Sequence, residues 1–281
     1  MTNRELAYIV KNQKPLVLAR DQTAREACRC MWECGSGSVL VVDAQQRLVG
    51  IFTGRDAVRL LAKGKDAGGI HLAKAMTPDP VTVTPRSRTI DALRAMSKGG
   101  FRHVPVTEDA RIKGIVSRGD LKGMELEELR WKSIGPAGTS APTFRTVAQI
   151  IGGQKPLLVG EGETVQQACR SMRRRKCGST LVVDSQQRLS GILTGRDAVR
   201  VLASVEDAAA TRLAEAMTRN PVTITPESSA IDALRSMNDG GFRHLPVIEN
   251  GKILGVVSRT DFTGIEIDRL DEEEHLKEVI W

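Results

Sequence analysis

The chain has 281 residues, 41% of them hydrophobic and 27% charged, with a formal net charge of +7. That length carries two domains with cores of their own, and the composition excludes a disordered or collagen-like chain. The basic balance suits phosphate-bearing partners, while only 3% of residues are aromatic, so a ring ligand would be held mainly between aliphatic walls.

From the N-terminus, residues 1–13 carry no secretory pattern, and no stretch reaches the ~18 consecutive apolar residues of a membrane helix. Arg4, Ala7, Ile9 and Gln13 recur 141 residues later as Arg145, Ala148, Ile150 and Gln154. The same offset relates Lys14-Pro15-Leu16 to Lys155-Pro156-Leu157, and the hexapeptide Gly54–Arg59 to Gly195–Arg200. It also relates Phe101-Arg102-His103 to Phe242-Arg243-His244, and Ser117-Arg118 to Ser258-Arg259. One unit is therefore written twice, over about 4–129 and 145–270. Between them, residues 130–144 contain the linker-like run Gly135–Pro142. Fully extended, this connector reaches ~50 Å. The units can thus pack on each other in one chain, or each on a neighbouring copy in a homo-oligomer. The tail, 271–281, has an acidic run (Asp271 to Glu274) followed by Leu276, Val279 and Ile280, spaced for a short docking helix.

The five cysteines are Cys28, Cys30, Cys34, Cys169 and Cys177. An odd number without a secretory segment predicts free thiols in a reducing, cytoplasmic compartment. Only Cys28 has a cysteine counterpart, Cys169, because Cys30 and Cys34 become Ser171 and Arg175. A metal site would not be expected to lose its ligands in the duplicate, so the prediction is no metal.

Each unit is itself double. Gly50–Asp56 is echoed 64 residues later by Gly114–Asp120, and Gly191–Asp197 likewise by Gly255–Asp261. The quarters fall at about 14–64, 77–127, 155–205 and 218–268. A quarter opens with an extended segment such as Pro80 to Thr84. An amphipathic helix through Ile90, Leu93 and Met96 follows and stops at Gly99-Gly100. Next come a strand, His103 to Thr107, a turn at Glu108 to Arg111, a second strand, Ile112 to Val116, and a helix from about Arg118. Strand, helix, strand, strand, helix, four times over, predicts an α+β fold with helices covering one face of small sheets.

Four times the pattern is Gly, two apolar residues, Thr or Ser, two residues, Asp. The hydroxyls are Thr53, Ser117, Thr194 and Ser258, and the acids are Asp56, Asp120, Asp197 and Asp261. Each hydroxyl stands at a strand exit and each acid in the first turn of the next helix. Free N–H groups there suit phosphate, and a carboxylate offers two acceptors to the vicinal hydroxyls of a ribose. The same spacing is also that of a capping box, in which hydroxyl and acid satisfy backbone donors. Both roles can coexist in one residue.

On these four elements, together with the strands Val39 to Asp43, Val104 to Thr107, Leu181 to Asp184 and Leu245 to Glu249, the chain resembles a protein of four CBS motifs arranged as two Bateman modules. The resemblance runs from about Lys14 to Ile267 apart from the connector. It implies four β-α-β-β-α motifs paired through their sheets, with the modules assembled into a disc. It also implies clefts that hold adenosine ligands: AMP, ADP, ATP with accompanying Mg2+, NAD or S-adenosylmethionine. By resemblance the ribose-binding acids fall on Asp56, Asp120, Asp197 and Asp261, with Thr53, Ser117, Thr194 and Ser258 beside them. Basic residues in nucleotide-sensing relatives contact phosphate at the positions of Arg102, His103, Arg243 and His244. The odd quarters have Gly37-Ser38 and Gly178-Ser179 there, so sites within a module should be unequal, with phosphate charge handled by the even quarters.

Arg55, Arg118, Arg196 and Arg259 flank the motif in the first helical turn, where the helix dipole disfavours a cation unless an anion lies between. The run Arg173-Arg174-Arg175-Lys176 sits at a helix end, where cations suit the dipole, and lacks the interleaved aromatics of a nucleic-acid surface. No nucleophile elbow, Walker loop or dinucleotide loop is present. The sequence therefore predicts a non-enzymatic regulatory protein that binds an adenine nucleotide and transmits its state to a partner protein. The alternatives are a ligand-free scaffold, whose four acids are helix caps only, and, more remotely, a nucleic-acid-binding regulator.

Overall fold

A computed structural model describes residues 4–121, 145–263, 266, 267 and 270. The connector 130–144 and the tail 271–281 lie outside the described residues.

In the first unit the elements are α1 (Leu6–Val10), β1 (Val17–Ala19), α2 (Ala24–Glu33), β2 (Ser38–Val42), β3 (Leu48–Thr53), α3 (Gly54–Ala62), α4 (Leu72–Ala75), β4 (Thr77–Pro78), α5 (Thr89–Gly99), β5 (His103–Glu108) and β6 (Arg111–Ser117). The second unit repeats them as α6 (Val147–Ile151), β7 (Leu158–Gly160), α7 (Val165–Arg175), β8 (Ser179–Val183), β9 (Leu189–Thr194), α8 (Gly195–Ser204), α9 (Leu213–Ala216), β10 (Thr218–Arg219), α10 (Ala230–Asp239), β11 (His244–Glu249) and β12 (Lys252–Ser258). The fold is α+β, as the sequence predicts.

Each odd quarter supplies three strands of a four-stranded sheet, β1-β2-β3-β4 or β10-β9-β8-β7, whose fourth, β4 or β10, opens the quarter that follows. β1 runs parallel to β2 and β7 to β8, and the other pairs are antiparallel. β2 and β8 are buried along their whole length, consistent with their near-continuous apolar sequence. In the even quarters the sheet is a hairpin, β5-β6 or β11-β12. The extended segment expected at Pro80 to Thr84 forms a single parallel bridge, Val83 to Val106, matched by Ile224 to Val247. The helix expected from about Arg118 opens as a three-residue 3-10 turn, Arg118–Asp120. Its counterpart at 259–262 is turn and bend. In the second unit helix resumes beyond that turn at 266 and 267, with the Ile267 N–H donating to the Thr263 carbonyl at 3.3 Å.

Local chemistry sets the helix starts. Thr23 and Glu26 form a capping box: the Thr23 N–H donates to Glu26 Oε2 (2.6 Å) and the Glu26 N–H to Thr23 Oγ1 (3.2 Å). In α7 the pair is Thr164 and Gln167. Behind these caps Ala24, Ala27, Cys28 and Met31, and Val165, Ala168, Cys169 and Met172, form the buried stripes.

The two units share one core. Met31, Phe52, Leu61 and Leu72 of the first quarter lie in the same buried cluster as Met172, Leu193, Leu202 and Leu213 of the third. Each such side chain contributes about 1.5–3 kcal/mol by leaving water. At the seam, a Cβ on Gly54 would lie 3.0 Å from the Gly195 carbonyl oxygen. Polar contacts rim it, with Arg170 Nε donating to the Ala62 carbonyl at 3.0 Å. The first and third quarters thus pack on each other within the chain. The even quarters have separate cores, each closed by its unit's first helix: Leu6 and Val10 of α1 join the second quarter, Val147 and Ile151 of α6 the fourth.

Candidate functional site

The four signature junctions divide by quarter. In the odd quarters the acid is buried: Asp56 is 2% exposed and Asp197 6%. Asp56 Oδ2 accepts from the Thr53 N–H (2.8 Å) and the Thr53 hydroxyl (2.9 Å). Its Oδ1 accepts from the Thr77 hydroxyl (3.0 Å) and pairs with Arg59 (2.7 Å). Asp197 repeats the set with Thr194 and Thr218, and its Arg200 stands at 3.6 Å. Both oxygens of each carboxylate are already engaged, and the arrangement holds α3 to β4 and α8 to β10.

In the even quarters the acid is open. Asp120 is exposed and Asp261 half-buried. One oxygen of each accepts the backbone N–H of the preceding hydroxyl residue, Ser117 (2.6 Å) or Ser258 (2.7 Å). Among the described residues the other oxygen, Oδ1, accepts no hydrogen bond. The Ser258 hydroxyl bonds the Thr260 hydroxyl at 2.7 Å. Asp120 and Asp261 therefore keep acceptor capacity for the paired hydroxyls of a ribose.

Basic side chains from both units converge. Burial pushes His103 down to about 4, and the nearby charges of Arg102, Arg243 and Arg55 add to this, against Asp120. His244 is likewise held at about 4, by burial and then Arg102, Arg243 and Arg196. Arg243 falls to about 10 from burial, with Arg102, Arg196 and Arg259 contributing, and Arg102 is lowered by burial, Arg55 and Arg118. Arg102 of the first unit thus acts on Arg243 and His244 of the second, and Arg243 acts on His103. Arg55, Arg102 and Arg196 still meet solvent, so the cluster is in contact with water rather than sealed in a dry core. At neutral pH both imidazoles are neutral and the arginines charged. Six arginines gather with Asp120 as the carboxylate acting on them or their histidines, a field that favours a bound anion.

Local packing fixes both rings. A Cβ on Gly37 would meet His103 Nε2 at 3.0 Å, and one on Gly178 would meet His244 Nε2 at 3.2 Å. The bare glycines opposite Arg-His in the sequence alignment are the seats of the histidines of the partner quarter. Arg196 donates to the Gly241 carbonyl (2.8 Å) and Arg259 to Asn238 Oδ1.

The sequence singled out the four hydroxyls, four acids, two Arg-His pairs and four flanking arginines. The structure brings the arginines and histidines together, and separates the acids into two engaged and two open. Sequence reasoning missed Thr77 and Thr218, Arg59 and Arg200, and Gly37 and Gly178 as part of this machinery. Arg59 and Arg200 close the repeated hexapeptide three residues after the acid, which was a readable signal; the threonines lie 21 residues downstream of it. Cys28 and Cys169 are buried in the shared core, and burial raises their thiols to about 12. The run Arg173–Arg175 closes α7, with Lys176 as its left-handed cap. Arg173 and Arg174 border an open groove of about 590 Å³ that Ala62 and Arg170 also line, at the rim of the seam between the units.

Four repeated α+β motifs, each with a hydroxyl-to-acid junction at a strand exit, define a tandem-repeat α+β fold. The chain belongs to the CBS domain family, which matches residues 9–63, 70–125, 148–204 and 213–266. The CBS domain-containing protein CBSCBSPB2 of Arabidopsis thaliana is 42% identical over 196 residues, which cover 68% of this chain and 35% of that protein. The meiotically up-regulated gene 70 protein of Schizosaccharomyces pombe is 29% identical over 292 residues, covering 84% of this chain and 40% of that protein. The chain thus spans well under half the length of these relatives. Among solved structures, protein MJ1225 of Methanocaldococcus jannaschii, described as a candidate archaeal homologue of γ-AMPK, superposes with a TM-score of 0.73 at 20% identity. The match covers 92% of this chain and 98% of that one, and it supports the fold.

Proposed function

We propose that this chain is a non-catalytic regulatory protein that binds adenine nucleotides, one toward each even quarter, with their phosphates in the basic recess between the units. Asp120 and Asp261 receive the ribose hydroxyls, assisted by Ser117 and Ser258. Arg102, His103, Arg243 and His244, with Arg55, Arg118, Arg196 and Arg259, receive the phosphates. Thr53, Asp56, Thr194 and Asp197 build the walls by holding the odd junctions closed. The observation that carries this reading is the convergence of uncompensated arginines from both units beside two acids with unused oxygens.

In this reading AMP, ADP or ATP is the ligand, with Mg2+ accompanying ATP, and the two Bateman modules close as a disc within one chain. NAD and S-adenosylmethionine share the adenosine and belong in the test. Ligand state reaches a partner protein in the cytoplasm only through a difference in affinity for two arrangements of the modules. Among the described residues no helix is long and apolar enough to cross a membrane. A thermal-shift panel over these five compounds tests the reading. Ligand at about a hundred times its dissociation constant stabilises by ~2.7 kcal/mol, and silence across the panel would sink it.

The scaffold reading draws on a specific observation of its own, the full engagement of Asp56 and Asp197 in caps. It predicts that substitutions at Asp120 and Asp261 change no binding property at all.

A further inference from the structure

Outside the recess, one interaction recurs in both units and touches the open acids. Arg145, the residue just before Thr146 and α6, directs its Nη2 to the Asp261 carbonyl oxygen at 3.1 Å. In the first unit Arg4 Nη2 donates to the Asp120 carbonyl oxygen at 3.2 Å. These contacts span 116 residues of chain and were kept through the duplication. The same Arg145 makes a two-pronged ion pair with Glu266, Nε to Oε1 and Nη2 to Oε2, both 2.8 Å. Glu266 is 6% exposed and also accepts the Thr263 N–H at 2.7 Å. The backbone carbonyl of Arg145 accepts the N–H of Ala230 at the start of α10 (2.9 Å), as that of Arg4 accepts Thr89 at the start of α5 (3.0 Å).

We infer that Arg145 and Arg4 are positioning residues for the nucleotide sites: each fixes, from outside the site, the backbone of the acid that receives the ribose. Residues 259–262 are turn and bend, and among the described residues helix resumes only at 266, so the Ser258-to-Asp261 turn lacks the α-helical ladder that directly carries Asp56 and Asp197. The odd junctions need no such brace, because α3 and α8 and the buried acids fix them. A planar guanidinium suits the task, since Nη2 donates to both Glu266 Oε2 and the Asp261 carbonyl while Nε holds the other Glu266 oxygen. The inference rests on the nucleotide reading above.

The test uses the full chain with Asp120→Asn throughout, so that the Asp261 site dominates, and reads ADP and ATP affinity by calorimetry beside thermal stability. Arg145→Gln should weaken nucleotide binding about tenfold, the worth of a hydrogen bond of roughly 1.4 kcal/mol. Arg145→Lys should recover part of that loss. Glu266→Gln breaks the ion pair but leaves Arg145 its carbonyl contact, so stability should fall while affinity stays within about twofold. Arg145→Gln that lowers the melting temperature and leaves affinity untouched would overturn the inference. So would a Glu266→Gln variant that loses as much affinity as Arg145→Gln. Absence of binding already in the Asp120→Asn parent and the unsubstituted chain would instead remove the nucleotide reading itself.

Discussion

Asp56 and Asp120 stand in the same motif in different surroundings. Asp56 is surrounded by Thr53, Thr77 and Arg59, whereas Asp120 meets solvent and has one oxygen free among the described residues. Asp56→Ala or Asp197→Ala should therefore cost about 2–3 kcal/mol of stability, because buried donors lose their acceptor. Asp120→Asn and Asp261→Asn should leave the melting temperature nearly unchanged and weaken nucleotide binding; chemical denaturation and calorimetry read the two effects separately. The histidines give a pH signature. With folded values of about 4 for His103 and His244, below the ordinary 6.5, the unfolded chain takes up protons first on acidification. The stability contributed by the neutral rings is complete above pH ~6.5 and is lost as pH falls through about 4. Imidazole resonances followed by NMR should titrate near 4 in the free protein and higher with nucleotide bound, since a phosphate favours the charged ring. Resonances near 6.5 in the free protein would contradict the crowded basic recess. The motif was legible in the sequence because it occurs four times. The division of labour was not, because it depends on Thr77 and Thr218, which the sheet returns to the acid from far along the chain.

Among the elements, the duplicated hairpins form a controlled comparison. β5 and β6 turn through Asp109-Ala110 with φ of 51° and 60°, and β11 and β12 through Asn250-Gly251 with φ of 49° and 76°. Two consecutive left-handed residues are the geometry of a tight hairpin turn, for which Asn-Gly is well suited. Alanine in that region costs about 1 kcal/mol, so Ala110→Gly should stabilise the chain by that amount. Lys176, at φ 53° where the first unit has Gly35 at 61°, should respond similarly to glycine. Urea denaturation of the two variants checks both, and loss of stability in either would mean that the alanine or lysine side chain makes a compensating contact. Strands and capped helices were readable from alternation, Thr-x-x-Glu boxes and the Gly99-Gly100 stop. The shortening of the even quarters' opening strand to the single bridge at Val83 was not readable, since Val81, Val83 and their neighbours have the composition of a full strand.

For the molecule as a whole, the offset of 141 residues established two units but left open whether they meet within one chain or between copies. The shared core of Met31, Phe52, Met172 and Leu193 and the Gly54-to-Gly195 contact place the first and third quarters together. Nothing in a repeat count encodes that choice, because identical faces can pair within or between chains. Gly54→Val should strain this seam, lowering stability by about 1–3 kcal/mol and expanding the particle in solution scattering. The charges of Arg102 and Arg243 act across the two units, so the proposed nucleotide sites would depend on each other. Calorimetric titration of ATP into the intact chain and into Arg243→Gln tests this most directly. The unsubstituted chain should bind, and Arg243→Gln should weaken nucleotide held by both units, because its charge acts on His103 as well as His244. No heat of binding from the unsubstituted chain, or an affinity indifferent to Arg243, would contradict a nucleotide site built on the shared basic recess.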